Sequence, residues 1–102
     1  MSIGAVGTIS VWANIMPRTV HRMCKDFLDG KHEKALETQL RYNELIDALF
    51  MEVNPIPVKE AMNLMGLKAG HFRMPMYPMA DANRAKLAKI MREAGLVLED
   101  GA

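Results

Sequence analysis

The sequence predicts a mostly α-helical chain with one β-strand and about four helices. Two observations support this class. Between Gly4 and Asn14 the side chains follow a period of two and β-branched residues dominate, which is typical of a strand covered on both faces. After this stretch, apolar residues recur at helical spacing and glycines or prolines separate the segments. Since no second strand follows, the strand requires a partner outside the chain, or the chain is a piece of something larger.

The first predicted helix, residues 16–29, follows the strand directly. Asn14 is a candidate helix cap, Pro17 suits a first helical turn, and Gly30 is a typical stop. Its apolar side chains, spaced by one, three or four residues, are Met16, Val20, Met23, Cys24, Phe27 and Leu28. Strand, turn and helix form one βα unit, and such units occur in series around parallel sheets.

A second helix is predicted over residues 32–51. The apolar residues expected on its buried side are Leu36, Leu40, Leu45, Ile46, Leu49, Phe50 and, further on, Val53. Asn54-Pro55-Ile56-Pro57 then interrupts the helical pattern, because each proline favours extended geometry at the preceding residue. Pro57 can open a third helix, which Gly66 ends.

The last part of the chain is predicted to be an irregular connection followed by a fourth helix. Residues 67–80 have no helical period and contain two prolines, so we expect them to lie extended against a surface. Asp81 is a candidate cap for a helix over residues 82–94, and Gly95 is its stop. Residues 99–102 are expected to fray.

Composition restricts the classes of function. The 102 residues include 13 basic and 12 acidic side chains, so the net charge of +1 favours neither nucleic acid nor an anionic membrane as a partner. The single cysteine excludes an internal disulfide and fits a reducing compartment. With no run of eighteen apolar residues and no signal segment, we expect a cytoplasmic protein.

Candidate chemical groups are sparse. His21 and Cys24 are three residues apart on one helix, where they could touch a metal, but no second pair at ligand spacing exists and a surface histidine beside a half-buried cysteine is the favoured interpretation. Lys59 could be imagined as a Schiff-base lysine, although a lysine at this point of a helix is usually solvated or salt-bridged. The last helix is basic without aromatic platforms, which favours a solvated surface over a nucleic-acid interface; its basic residues are Arg84, Lys86, Lys89 and Arg92. No metal site and no cofactor are therefore expected.

Four motifs together resemble the carboxy-terminal third of the dihydrodipicolinate synthase family. In chain order they are Gly7-Thr8-Ile9-Ser10-Val11-Trp12-Ala13-Asn14, Asn54-Pro55-Ile56-Pro57-Val58-Lys59, Arg73-Met74-Pro75-Met76-Tyr77-Pro78 and Arg92-Glu93-Ala94-Gly95-Leu96. The order and approximate spacing match the family over essentially the whole chain. The second motif favours the synthases over related pyruvate-dependent lyases such as N-acetylneuraminate lyase.

The resemblance implies a (β/α)8 barrel enzyme with an appended helical domain. Such a lyase condenses pyruvate with aspartate semialdehyde through a lysine Schiff base, in lysine biosynthesis by the diaminopimelate route. On this template residues 1–30 are the last βα unit of the barrel, and residues 31–102 are the carboxy-terminal helical domain. Family members commonly form oligomers.

The resemblance also implies a substrate contact, because the isoleucine that matches Ile9 lines the pyruvate pocket in the family. A plain barrel-filling residue is an equally good interpretation of Ile9. Trp12 departs from the smaller residue usual at its position, and it could narrow the pocket mouth or pack against a neighbour. No catalytic residue of the family is present, because its Schiff-base lysine, proton-relay tyrosine, threonine pair and substrate-binding arginine all belong to earlier strands.

Two hypotheses follow from the sequence. The first is a carboxy-terminal piece of a dihydrodipicolinate synthase that is inactive alone, since one strand and four helices cannot supply a dry, preorganised amine pocket. The second is a helical interaction module that completes a split barrel or self-associates through the unpaired edges of its strand.

Overall fold

The computed structural model describes residues 1–99, and this part of the chain is mostly helical. Five α-helices follow one another, with a short 3-10 helix, Trp12–Asn14, ahead of them. The α-helices are α1 (Pro17–Leu28), α2 (His32–Arg41), α3 (Asn43–Ala48), α4 (Ile56–Leu64) and α5 (Asp81–Glu93). The chain divides into two compact units, the first being Met1–Asn43 and the second beginning at Glu44. The expected domain division after residue 30 stays a prediction.

The predicted β-strand is wrong for the described residues, none of which belongs to a strand. Residues 5–10 have no regular secondary structure, and the chain turns into the 3-10 helix at Trp12. The physical reason is the missing partner that the sequence itself indicates. A strand exists only by exchanging hydrogen bonds with another strand, and residues 1–99 contain none to pair with.

Helices α1 and α2 pack against each other in the first unit. Pro17 begins α1 as predicted, but the residue before it, Met16, is the N-cap and Asn14 is not. The Asn14 side chain instead donates to the carbonyl of Val11 at 3.0 Å. Gly30 follows α1 with a φ of +86°, and the next amide, of Lys31, donates back to the carbonyl of Asp26 at 2.7 Å. This is the glycine-terminated helix end that the sequence predicted.

The single helix predicted over residues 32–51 is wrong, because it is divided at Tyr42 into α2 and α3. Tyr42 is the C-cap of α2, with φ −107° and ψ 8°, and its N–H donates to the carbonyl of Thr38. The break also changes which apolar residues are buried. Leu45 and Leu49 are buried as predicted, whereas Leu36, Leu40 and Phe50 are more than half exposed.

Helices α4 and α5 pack together in the second unit. A proline lies in the first turn of α4, and the glycines Gly66 and Gly95, both with positive φ, follow the ends of α4 and α5. The bounds of both helices agree with the prediction within about one residue. Residues 67–80 are irregular as expected. Asp81 is the first residue of α5 and not its cap; the N-cap is Ala80, which offers no side-chain cap.

The buried core is concentrated in the second unit. Its fully buried side chains include Leu45, Leu49, Ile56, Leu87 and Met91. Of the residues predicted to fray, 100–102 lie outside the described residues, and the Glu99 N–H donates to the Leu64 carbonyl at 2.8 Å. Within residues 1–99 no helix has both the length and the apolar character to cross a bilayer.

Candidate functional site

Ile9, the one predicted substrate contact, lies on a fully exposed segment of the first unit. Its exposed fraction is 107%, and those of Ile3 and Val6 are 97% and 80%. No backbone N–H or C=O of residues 5–9 pairs with another residue of the part that the structure describes. A binding pocket buries most of its ligand in a concave, largely apolar site. Ile9 therefore lines no pocket made by residues 1–99 themselves.

Trp12 follows this exposed segment and attaches its end to the helical part of the first unit. The indole is 3% exposed, its N–H donates to Sδ of Met16 at 3.2 Å, and its ring centroid lies 5.5 Å from that of Tyr42. Of the two expectations for Trp12, the packing against a neighbour is confirmed. Sequence reasoning missed Tyr42 as that neighbour, because thirty residues separate the two rings and nothing local relates them.

Lys59 is engaged in a structural contact. Its ammonium donates to the carbonyl of His71 and lies 5.3 Å from the centroid of the Phe72 ring, a cation–π geometry. Asn63, one turn further along α4, holds Gly70 twice: its Nδ2 donates to the Gly70 carbonyl at 3.1 Å, and its Oδ1 accepts from the Gly70 N–H at 3.2 Å. The two side chains attach residues 70–72 to α4. The expectation of a salt-bridged or solvated lysine is thus met by neither contact: within the described residues the Lys59 ammonium is bound to a backbone carbonyl and an aromatic ring.

Two glutamates hold α5 against the earlier part of the second unit. Glu52 Oε2 accepts from the N–H of Ala80 at 3.1 Å and from Nδ2 of Asn83 at 2.9 Å, so it caps the start of α5 from 28 residues away. Glu60, whose side chain is 12% exposed, pairs with Nε of Arg84 at 2.7 Å. Arg84 therefore contributes to packing, and the predicted solvated surface holds for exposed Lys86, Lys89 and Arg92.

The histidines and the cysteine do not form a metal centre. Among residues 1–99 no group of three or more potential ligands comes together. His21 is exposed and Cys24 half-buried, in agreement with the simpler interpretation of this pair. His32 stacks on Phe27 with ring centroids 4.2 Å apart. These residues are accounted for by packing and solvent exposure.

Solved structures that resemble this chain are enzymes of one barrel class. The dihydrodipicolinate synthase of Aquifex aeolicus superimposes with a TM-score of 0.92 at 36% identity, over 97% of this chain and 34% of that one. A structure of the chloride-inhibited enzyme from Acinetobacter baumannii, complexed with pyruvate, gives a TM-score of 0.88 at 36% identity, over 93% of this chain and 33% of that one. Both are (β/α)8 barrel enzymes. The fold is thus that of one part of a helix-surrounded barrel protein.

The chain belongs to the dihydrodipicolinate synthetase family, whose model matches residues 1–94. The 4-hydroxy-tetrahydrodipicolinate synthase of Clostridium tetani is 50% identical over 97 residues, which is 95% of this chain and 33% of that protein. The family resemblance of the sequence is therefore confirmed. The chain spans about one third of the length of the relatives it matches.

Proposed function

We propose that this chain is the carboxy-terminal part of a lyase of the dihydrodipicolinate synthase type. The parent reaction is the condensation of pyruvate with aspartate semialdehyde, in lysine biosynthesis. The family match over residues 1–94, combined with coverage of only a third of the relatives, is the observation that carries this proposal. The related A. baumannii structure contains pyruvate, which supports pyruvate as the substrate of the complete enzyme.

On this proposal the 102 residues alone are inactive. In Schiff-base formation an amine adds to the ketone carbon of pyruvate, and the resulting carbinolamine loses water. Both steps require a site that excludes bulk solvent. Lys59 donates to a backbone carbonyl and stacks on an aromatic ring, and Ile9 faces solvent. The other lysines of residues 1–99 are exposed. An exposed lysine lacks the enclosed site that a covalent step with pyruvate requires.

The role of Ile9 is to complete the pyruvate pocket once the rest of a barrel surrounds it. Active sites of such barrels lie at the carboxy-terminal ends of the strands. Ile9 immediately precedes Ser10, whose carbonyl accepts from the Ala13 N–H at the start of the 3-10 helix. Its place near the end of the stretch supports this assignment.

Borohydride trapping tests the proposal in two arms. The purified chain is incubated with pyruvate and borohydride, and its molecular mass is measured by mass spectrometry. No reduced pyruvate adduct is expected, and an adduct would contradict inactivity. In the second arm the chain is joined, as one polypeptide, behind the first two thirds of the C. tetani relative. That fusion should trap pyruvate and condense it with aspartate semialdehyde. A folded but inactive fusion would contradict the assignment to this type of lyase.

A second proposed role is that of an interaction module, which associates with another protein or with itself. The exposed apolar side chains of the unpaired segment favour it. In this case sedimentation should show an oligomer or a complex. A monomer that binds nothing would count against it.

A further inference from the structure

We infer that the exposed face of α1 binds a small molecule that carries linked phosphates. This face contains an open groove with a volume of about 470 Å³, which we call the basic groove. Its lining residues are Pro17 and four residues of basic type, Arg18, His21, Arg22 and Lys25. The site is separate from the lyase reaction proposed above. Its support comes from the spacing of the basic side chains, from their few acidic partners and from their position on α1.

The basic side chains project from adjacent turns of one helix. Arg18 and Arg22 are four residues apart, and so are His21 and Lys25. Side chains at this spacing lie one above the other on the helix surface. Since an α-helix rises about 1.5 Å per residue, the groove extends about 12 Å from Pro17 to Lys25. The helix therefore concentrates its positive charge along a short row.

Acidic side chains do not neutralise the basic groove. Within residues 1–99 no carboxylate forms an ion pair with Arg18, His21 or Arg22. Lys25 pairs with Asp29 at 3.3 Å, but these two side chains are 61% and 45% exposed. An exposed pair of this kind contributes little to stability and can exchange its partner for another anion. The two guanidinium groups are thus available to a negatively charged ligand.

A second open groove of the first unit lacks this excess of positive charge. Its volume is about 550 Å³, and it is lined by residues 30–34 and Glu37. Lys31 and Lys34 share this surface with Glu33 and Glu37, so its basic and acidic side chains balance. An anion is therefore attracted to the basic groove more strongly than to this one.

The basic groove lies on the side of α1 that is not used for packing. Val20 is buried, and Cys24 and Phe27 are half-buried. With about 100° between successive helical residues, Arg18 and Arg22 project from the opposite side of the helix. The packed face of α1 is the apolar one, and the basic groove faces solvent.

The dimensions of the groove favour linked phosphates over an acidic peptide. A guanidinium is a planar fork that binds phosphate oxygens through two parallel hydrogen bonds. An extended peptide places the carboxylates of one face about 7 Å apart, so only about two of them would lie along the groove. Linked phosphates bring more negative charge into the same length. They also offer oxygens to Arg18, Arg22 and Lys25 together.

Titration of the 102-residue chain with inorganic tripolyphosphate, at constant ionic strength, tests the inference. Isothermal titration calorimetry should show one ligand per chain and a Kd below about 1 mM. In NMR spectra the largest shifts should come from the amides of residues 18–25. A Kd above about 1 mM, or the largest shifts elsewhere, would overturn the site. Tighter binding of a tetraglutamate peptide or a short single-stranded oligonucleotide would overturn the assignment to a small phosphate ligand.

A matched pair of variants locates the contact. Arg22→Gln removes a guanidinium from the basic groove, and Lys86→Gln removes an equal charge from an exposed position on α5. Arg22→Gln should weaken binding by at least about fivefold, because a charge-assisted contact is lost. Lys86→Gln should weaken it by less than about twofold, since salt screens a distant charge. Equal effects would indicate attraction by net charge alone and would overturn the basic groove.

Arg22→Lys tests the contribution of the guanidinium fork. This variant keeps the positive charge but loses the two parallel hydrogen bonds, so binding should weaken by about threefold. Binding as tight as that of the original chain would overturn the role of the fork. Helix content measured by circular dichroism should stay unchanged in all three variants, because both positions are exposed.

Discussion

The beginning of the chain and its second unit are held by different means. Residues 5–9 have exposed apolar side chains and no backbone hydrogen bonds within residues 1–99, whereas the unit that begins at Glu44 contains most of the buried apolar side chains. The second unit also connects distant residues through side chains, as in the contact of Glu52 with Ala80. The second unit therefore contains stabilising contacts of its own, whereas residues 5–9 make few contacts within the described part of the chain.

The largest expected difference concerns apolar truncation in the two regions. Leu87→Ala should lower the free energy of unfolding by about 2–5 kcal/mol, since Leu87 is fully buried on α5. Ile9→Ala should change it by less than about 0.5 kcal/mol, because the side chain is already in water. Urea unfolding followed by circular dichroism measures both. A cost at Ile9 similar to that at Leu87 would show that the segment is packed in solution.

The sequence predicted the helices best where glycine or proline marks their ends. Pro17 and Gly30 limit α1, and Gly66 and Gly95 follow α4 and α5, because these residues act through their own backbone geometry. The break at Tyr42 has neither residue, so the apolar spacing suggested one continuous helix. A break of this kind depends on tertiary packing, which local patterns do not contain.

The candidate site was predictable only through the family resemblance. The strand was expected from the β-branched residues around Ile9, but strand formation depends on a neighbour and residues 1–99 provide none. The contacts of Trp12 with Tyr42 and of Glu52 with Ala80 were not predicted, because they join residues 30 and 28 positions apart. Lys59 was correctly placed on a helix, but its contacts with residues 71 and 72 arise from how the following connection folds back.

A smaller effect is expected from the cap that Glu52 supplies to α5. Glu52→Ala should lower the free energy of unfolding by about 1–2 kcal/mol, because the N–H of Ala80 and the amide of Asn83 lose their shared acceptor. Glu93→Ala is the matched control, since its pair with Lys89 is exposed and spans 4.0 Å. We expect the control to change stability by less than about 0.5 kcal/mol. Thermal unfolding of both variants measures the difference, and equal shifts would contradict the capping role.

The smallest expected effect concerns residues 67–80, which are irregular like residues 5–10 but attached by side chains. Asn63→Ala removes both hydrogen bonds to Gly70. Asn63→Asp removes the bond to the Gly70 carbonyl and keeps an oxygen that accepts from the Gly70 N–H. Two partly exposed bonds contribute about 1 kcal/mol together, so Asn63→Ala should speed local opening roughly fivefold and Asn63→Asp by less. Limited trypsin digestion at Lys68 and Arg73 measures this opening. Unchanged cleavage in Asn63→Ala would show that the Lys59 contacts alone hold the connection. Cleavage at Lys86 and Lys89 distinguishes loss of the Asn63–Gly70 hydrogen bonds from general destabilisation, because trypsin cuts these two sites faster only when helix α5 itself unfolds.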